Sequence, residues 1–292
     1  MKRTLLILLL TCVLLCGCGQ QSAPAQIAAT TLPVYEFTAA LCEGTPITVT
    51  RLVTEEVSCL HDYSLNVRQV KAAEAAEWIV ISGAGLEEFL DDLLVDKSVI
   101  DASQNIELLC PQEDEDHHDH GHEDHHHESD PHIWLSPELA QTMVRNIKNG
   151  LTNQYPEYSD TFSHNESALL AQLEALEAYG KETLSDLSCR EMISFHDGFA
   201  YFTESFDLTI LEAVEEESGS EASAAELIHL IKEVRHHKLP AIFTESSGSV
   251  SAARIIAAET GAGISELDMA MYGESYFDCM YRNINTLKGA LG

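Results

Sequence analysis

The sequence predicts an α/β protein with two lobes, each built on a mainly parallel four-stranded sheet flanked by helices, and one long rigid helix joining them. Short, continuously apolar runs alternate with amphipathic stretches of helical spacing along the 292-residue chain. The alternation falls into two blocks of four apolar runs each, with a single long amphipathic stretch between the blocks. Apolar strands that alternate with helices are typical of parallel sheets covered on both faces.

The first block predicts an N-terminal lobe over residues 27–150. Its strands are expected at 27–31, 47–53, 78–82 and 99–102, with helices at 34–41, 66–75 and 86–94. Further on, Ser136 followed by Pro137 has the pattern of an N-cap and a first helical position. A helix is therefore expected from there to about residue 148.

The second block predicts a C-terminal lobe over residues 189–292. Its strands are expected at 191–195, 208–214, 241–244 and 263–267, with helices at 198–205, 223–237, 250–259 and 276–287. Between the lobes, residues 158–187 carry leucines at three-to-four spacing and no proline, which predicts a helix of roughly 40 Å. It could be an ordinary crossover helix, but its central position favours a linker over residues 151–188.

The N-terminus has the features of a lipoprotein signal peptide over residues 1–18. Lys2 and Arg3 precede a short apolar run that ends in Leu15-Cys16-Gly17-Cys18. This ending resembles a bacterial lipobox, in which Cys18 would be diacylated, and residues 19–26 would form a tether. The alternative is an ordinary cleaved secretory signal. Because two acyl chains anchor stably where one is marginal, we expect a domain held at the outer face of a membrane, or in the periplasm.

Composition narrows the range of partners. The net charge of −32 repels nucleic acid and anionic lipid and attracts cations. After Cys18 the odd number of cysteines permits at most two disulfides, and the absence of a Cys-x-x-Cys pair argues against a cysteine zinc knuckle. These cysteines are Cys42, Cys59, Cys110, Cys189 and Cys279.

A segment rich in histidine and acid lies before Pro131. Imidazole and carboxylate both accept divalent metals, and so few apolar residues cannot form a core. We expect residues 113–129 to be a mobile, low-affinity metal collector, the alternative being a simple acidic loop. A selective site must then lie elsewhere. The clustered histidines are His117, His118, His120, His122, His125, His126 and His127.

Four other residues are the candidate metal ligands: His61, His132, His196 and Asp268. Each lies beyond the carboxyl end of a predicted strand, where ligands bind in open parallel sheets. Three imidazoles and one carboxylate suit tetrahedral zinc, whereas manganese prefers more oxygen donors. Taken singly, His132 could belong to the His-rich run, His196 could be a catalytic base, and Asp268 could cap a turn.

Four motifs support a more specific interpretation: residues 61–63 (HDY), 130–137 (DPHIWLSP), 195–202 (FHDGFAYF) and 242–245 (IFTE). The chain resembles the zinc/manganese class of ABC-transporter substrate-binding lipoproteins over its mature length. The resemblance implies a metal held between two lobes by His61, His132, His196 and Asp268, with Glu245 supporting a histidine. It also implies an ABC permease and its ATPase as partners.

The residue at position 196 indicates which metal the resemblance implies. Histidine at position 196 is the zinc-type choice, since manganese-type members usually have glutamate there, so Zn²⁺ is expected over Mn²⁺. Cys59, two residues before His61, and the residues after Asp268 depart from the common pattern. The departure after Asp268 weakens its assignment as the fourth ligand.

A zinc hydrolase is the competing class, because three histidines and a water would form a catalytic site with Glu245 or Asp268 as base. The sequence has no HExxH helix and no Gly-x-Ser-x-Gly elbow. We therefore expect a monomeric binding protein rather than an enzyme.

Overall fold

The computed structural model describes residues 26–55, 60, 63–109, 129–214, 222–246 and 248–292. The predictions for Cys18, His61, Cys59, Cys110 and the seven clustered histidines lie outside these residues. Within them, no helix is both long and apolar enough to cross a membrane.

The N-terminal lobe contains a parallel four-stranded sheet in the order β2-β1-β3-β4. Continuous apolar runs such as Trp78–Ile81 form its strands, which confirms the parallel arrangement expected from their composition. The strands are β1 Gln26–Ala29, β2 Thr48–Arg51, β3 Trp78–Ile81 and β4 Ser98–Asp101. The helices are α1 Leu32–Leu41, α2 Val67–Ala75, α3 Asp91–Leu94 and α4 Pro137–Gln154.

The helix expected at 86–94 is shorter than predicted. Gly83, Ala84 and Gly85 all have positive φ, so the chain turns tightly after β3. A 3₁₀ turn at Glu88–Leu90 then precedes the single turn of α3. Glu87, at the start of this segment, folds its carboxylate back onto the backbone N–H groups of Ser82 and Gly83. The backbone therefore forms a turn here, and the regular helix begins later than expected.

The C-terminal lobe contains a second parallel four-stranded sheet, in the order β6-β5-β7-β8. Ser223 caps the second helix of this lobe through a capping box with Glu226, which fixes where that helix starts. The strands are β5 Glu191–Ser194, β6 Thr209–Ala213, β7 Ala241–Glu245 and β8 Gly263–Leu267. The helices are α6 Ala200–Ser205, α7 Ala224–His237, α8 Ser251–Thr260 and α9 Tyr276–Leu291.

The helix α5, Ser159–Thr183, connects the lobes and is 25 residues long, or about 37 Å at 1.5 Å per residue. Its buried side chains pack on α1 and α4 of the N-terminal lobe and on α9 of the C-terminal lobe. The expectation of a helix bridging two lobes is confirmed. Those buried residues are Phe162, Leu169, Leu173, Leu176 and Gly180.

The lobes also contact each other directly near the carboxyl ends of their strands. The indole Nε1 of Trp134 donates to the carbonyl of Met269 at 2.7 Å. The hydroxyl of Tyr276 donates to the carbonyl of Trp134 at 2.7 Å, and the ring of Tyr276 lies edge-on to Phe37. One cluster of buried apolar side chains runs through both lobes. The strand ends of the two sheets are therefore held facing each other.

Candidate metal centre

His132 lies on the N-terminal side of the cleft, immediately before the 3₁₀ turn Ile133–Leu135. Its backbone N–H donates to Asp130 Oδ1 at 2.9 Å, and its ring Nδ1 lies 2.8 Å from the same oxygen. The adjacent Trp134 is fully buried, which fixes the turn that carries the imidazole. His132 is therefore held by its own neighbours in sequence.

His196 lies on the C-terminal side, two residues after the end of β5. Its Nδ1 is 3.3 Å from Oε2 of Glu245, the last residue of the adjacent strand β7. Glu245 is buried, so its carboxylate is pointed at the imidazole rather than at solvent. Glu245 therefore lies next to one predicted ligand, and its role in supporting that histidine stays a prediction.

The two imidazoles, from opposite lobes, meet in the cleft. Their ring centroids are 5.4 Å apart with an angle of 83° between the ring planes. A zinc ion bound tetrahedrally to two imidazoles at about 2.0–2.1 Å holds the ring centroids about 5 Å apart. The spacing of His132 and His196 therefore fits two ligands of one ion.

Carboxylates surround this pair of rings. Burial and the nearby Asp130 raise the pKa of Asp197, while His132 lowers it. Asp130, Asp197 and Glu245 together make the surroundings of the imidazoles negative, which favours a cation. Sequence analysis did not single out Asp130 or Asp197 as functional. Their positions, two residues before one predicted ligand and directly after another, were the available signal.

Asp268, the predicted fourth ligand, follows β8 and lines a cleft cavity of about 660 Å³ together with Thr54 and Ser246. Its Oδ1 accepts the N–H of Ala270 at 2.7 Å, and its Oδ2 is 3.6 Å from Arg282. The side chain thus caps its own turn and pairs with a guanidinium. Its role as a ligand remains a prediction.

The described residues include only part of the predicted ligand set. Among the residues that it describes, no three His, Cys, Asp or Glu side chains are grouped so that they could hold a metal ion. His61, the third predicted imidazole, lies outside those residues. Two imidazoles and their supporting carboxylates are therefore the part of the site that the geometry describes.

Three of the cysteines lie among the described residues, and one of them, Cys279, lines the same cavity as Asp268. Cys42, Cys189 and Cys279 are free thiols, so no disulfide joins any two of them. Burial raises the pKa of Cys42 and of Cys279 to about 12. Both thiols are therefore protonated at neutral pH in the metal-free protein.

Two curated proteins are similar to the chain over most of its length. The chain is 31% identical over 308 residues to the zinc-binding lipoprotein AdcA of Streptococcus pneumoniae, covering 99% of this chain and 61% of AdcA. It is 29% identical over 283 residues to a putative metal-binding protein of Treponema pallidum, covering 91% and 89% of the two chains. The chain therefore spans less than two thirds of the length of AdcA.

A solved structure supports the fold assignment independently. The crystal structure of ZnuA superposes with a TM-score of 0.78 at 28% identity, covering 92% of this chain and all of that one. The family model described as "ZnuA: Zinc-uptake complex component A periplasmic" matches residues 27–290. This family comprises metal-binding transport proteins that are not enzymes, which removes the support for a hydrolase. The chain, with two facing imidazoles between two parallel-sheet lobes, belongs to the ZnuA family of zinc-uptake components.

Proposed function

We propose that this protein is the extracytoplasmic solute-binding component of a metal ABC importer, and that it captures Zn²⁺ between its lobes. The observation that carries the proposal is the meeting of His132 and His196 across the cleft, with ring centroids 5.4 Å apart. The ion would be held by these two imidazoles together with His61 and Asp268.

The carboxylates behind the rings favour the imidazole tautomer that a metal needs. Nδ1 of His132 lies against Asp130, and Nδ1 of His196 lies against Glu245. A proton held on Nδ1 leaves the lone pair on Nε2, which is the atom that binds the ion. Such carboxylate–histidine pairs also fix the ring orientation and make the imidazole a stronger donor.

Asp268 has to change its partners before it can contribute. Its Oδ2 now faces Arg282, whose side chain is largely exposed and can turn away into solvent. A bound divalent cation would compete with that guanidinium for the carboxylate. Asp268 would then supply an oxygen from the C-terminal lobe as the fourth donor.

Zinc is favoured over manganese by the donor atoms and by the relatives. Imidazole nitrogens suit zinc, whereas a manganese site is richer in oxygen. AdcA is named a zinc-binding lipoprotein, and the family name refers to zinc uptake. The protein would be anchored through Cys18 and would deliver the ion to a permease driven by a cytoplasmic ATPase.

The first prediction concerns His196. Replacing it by alanine should weaken zinc binding by at least tenfold, because the variant loses one metal–nitrogen bond and the contact between Glu245 and the imidazole. His229→Ala is the matched control, since His229 is an exposed histidine that also faces a carboxylate, Glu212, at 2.9 Å. Calorimetric titration with zinc, and then with manganese, measures both variants. Equal zinc affinity for the two would contradict the proposed site.

The second prediction separates the His-rich segment from the tight site. Deleting residues 113–129 should reduce the number of weakly bound zinc ions while one ion stays tightly bound. Equilibrium dialysis at limiting zinc, followed by metal analysis, counts both classes. If the tight ion disappears in the deletion variant but persists in His196→Ala, the histidine cluster itself is the site.

A further inference from the structure

Tyr201 reaches from the C-terminal lobe to the metal-binding edge of the N-terminal lobe. It lies in α6, five positions after His196, and its side chain is buried. Its hydroxyl accepts the backbone N–H of Leu109 at 2.8 Å and donates to the backbone carbonyl of Asp130 at 3.0 Å. One phenol oxygen therefore binds two points of the other lobe that are distant in sequence.

Those two points are also bonded to each other. The N–H of Asp130 donates to the carbonyl of Leu109 at 2.9 Å. The three groups close a small hydrogen-bonded ring in which every member is satisfied. This partly buried arrangement is geometrically specific, because removing the Tyr201 hydroxyl takes one partner away from the N–H of Leu109 and one from the carbonyl of Asp130.

Asp130 connects this ring to a proposed ligand. Its backbone is held by Tyr201, while its carboxylate oxygen Oδ1 accepts from the backbone of His132 and faces His132 Nδ1 at 2.8 Å. Anything that moves the backbone of Asp130 therefore moves the oxygen that orients the imidazole. The path from the tyrosine hydroxyl to His132 passes through a single residue.

Tyr201 and His196 belong to one short segment of the C-terminal lobe. The helix α6 begins at Ala200, and the flanking Phe199 and Phe202 are fully buried. Burial of these two rings holds the start of α6 in place, so the positions of Tyr201 and His196 are set by the same segment.

We propose that Tyr201 is a positioning residue of the metal site: its hydroxyl sets the Asp130 carboxylate, and through it the His132 imidazole, relative to His196. This inference rests on the proposed function, because it assigns a role within the same site. It adds a contribution from a residue that would not touch the ion.

The test is Tyr201→Phe, which keeps the buried ring and removes only the hydroxyl. Zinc affinity should fall about tenfold, the lower end of the effect seen for groups that support metal ligands. Zinc dissociation should be faster, and the visible absorption bands of Co²⁺ bound in place of zinc should shift because the ligand geometry changes. Far-ultraviolet circular dichroism checks that the variant is folded.

Two controls separate positioning from a general loosening of the structure. Tyr179→Phe removes another hydroxyl, which bonds to Asn285 at 2.7 Å on the surface. Arg51→Gln removes a different contact between the lobes, from Arg51 to the carbonyl of Gly273 at 2.9 Å. Both should keep wild-type zinc affinity and cobalt spectra. A loss in Arg51→Gln equal to that in Tyr201→Phe would overturn the inference.

A double-mutant cycle tests the route through Asp130. If Tyr201 acts by placing the Asp130 carboxylate, Tyr201→Phe should cost little further affinity once Asp130→Ala has removed that carboxylate. Fully additive losses, or a Tyr201→Phe protein that binds both metals like the wild type, would refute the positioning role. Retention of tight zinc by His196→Ala would instead refute the proposed function, so the two failures are distinguishable.

Discussion

Glu87 is a fully buried carboxylate near the carboxyl ends of β1 and β3. It accepts hydrogen bonds from Thr30 Oγ1 and the Ser82 N–H, both at 2.7 Å, and from the Gly83 N–H at 3.0 Å. Burial nevertheless raises its pKa from 4.5 to about 7, because these bonds only partly offset the loss of water. Since the folded pKa is above the unfolded one, the stability from this group is present below pH 4.5 and is lost as the pH rises through 7.

The raised pKa of Glu87 predicts how the stability of the protein changes with pH. Between pH 5 and pH 8 the wild type should lose more unfolding free energy than Glu87→Gln, by up to a few kcal/mol, since one pKa unit corresponds to about 1.4 kcal/mol. Urea unfolding at both pH values measures the difference. Glu88→Gln, at the exposed neighbouring glutamate, should behave like the wild type. Identical pH slopes for the wild type and Glu87→Gln would show that Glu87 titrates normally.

At the scale of single elements, the linker helix α5 depends on a close approach at Gly180. A Cβ there would lie 2.2 Å from Cε1 of Phe206, whose ring is buried and packs on Phe202. In α9, by contrast, a Cβ at Gly289 meets nothing within 4 Å. Replacing glycine by alanine would therefore cause a clash at position 180 but not at position 289.

Gly180→Ala should thus lower the unfolding free energy by about 1–3 kcal/mol through overpacking. Gly289→Ala should raise it by up to about 1 kcal/mol, because alanine favours the helix more than glycine does. Chemical denaturation of the two variants measures both effects. If both variants gained stability, the contact between α5 and the C-terminal lobe would be looser than the structure places it.

At the scale of the whole molecule, the two lobes share one apolar core. Its members include Phe37 and Trp134 from the N-terminal lobe, and Phe243 and Tyr276 from the C-terminal lobe. If one lobe unfolded, the apolar side chains of the other lobe that pack against it would be exposed to water. The lobes should therefore unfold together rather than one after the other.

Differential scanning calorimetry of the metal-free protein should accordingly show a single transition. Zinc at 100 times its dissociation constant should stabilise the folded state by about 2.7 kcal/mol and move that one transition upward. A chelator should reverse the shift. Two separate transitions, of which zinc moves only one, would mean that the ion is held by one lobe alone.

Much of this architecture could be predicted from local sequence. All eight strands expected from apolar runs are present, as are the linker helix and the cap at Ser136. These features depend on side chains a few residues apart, so a single sequence contains the information. The helix expected at 86–94 is the exception. Three successive residues with positive φ turn the chain just before it, and the spacing of apolar residues does not reveal such backbone angles.

The candidate metal centre divides in the same way. From the sequence, His132 and His196 were expected beyond the carboxyl ends of predicted strands, where parallel topology gathers ligand-binding loops at one edge of each sheet. The supporting role of Glu245 came from the family resemblance. Only the tertiary structure shows Asp130 behind His132, Tyr201 bonded across the cleft, and Asp268 turned towards Arg282. These contacts join residues far apart in the chain or depend on side-chain direction. They are decided by how the two lobes pack, and no local pattern of residues carries that information.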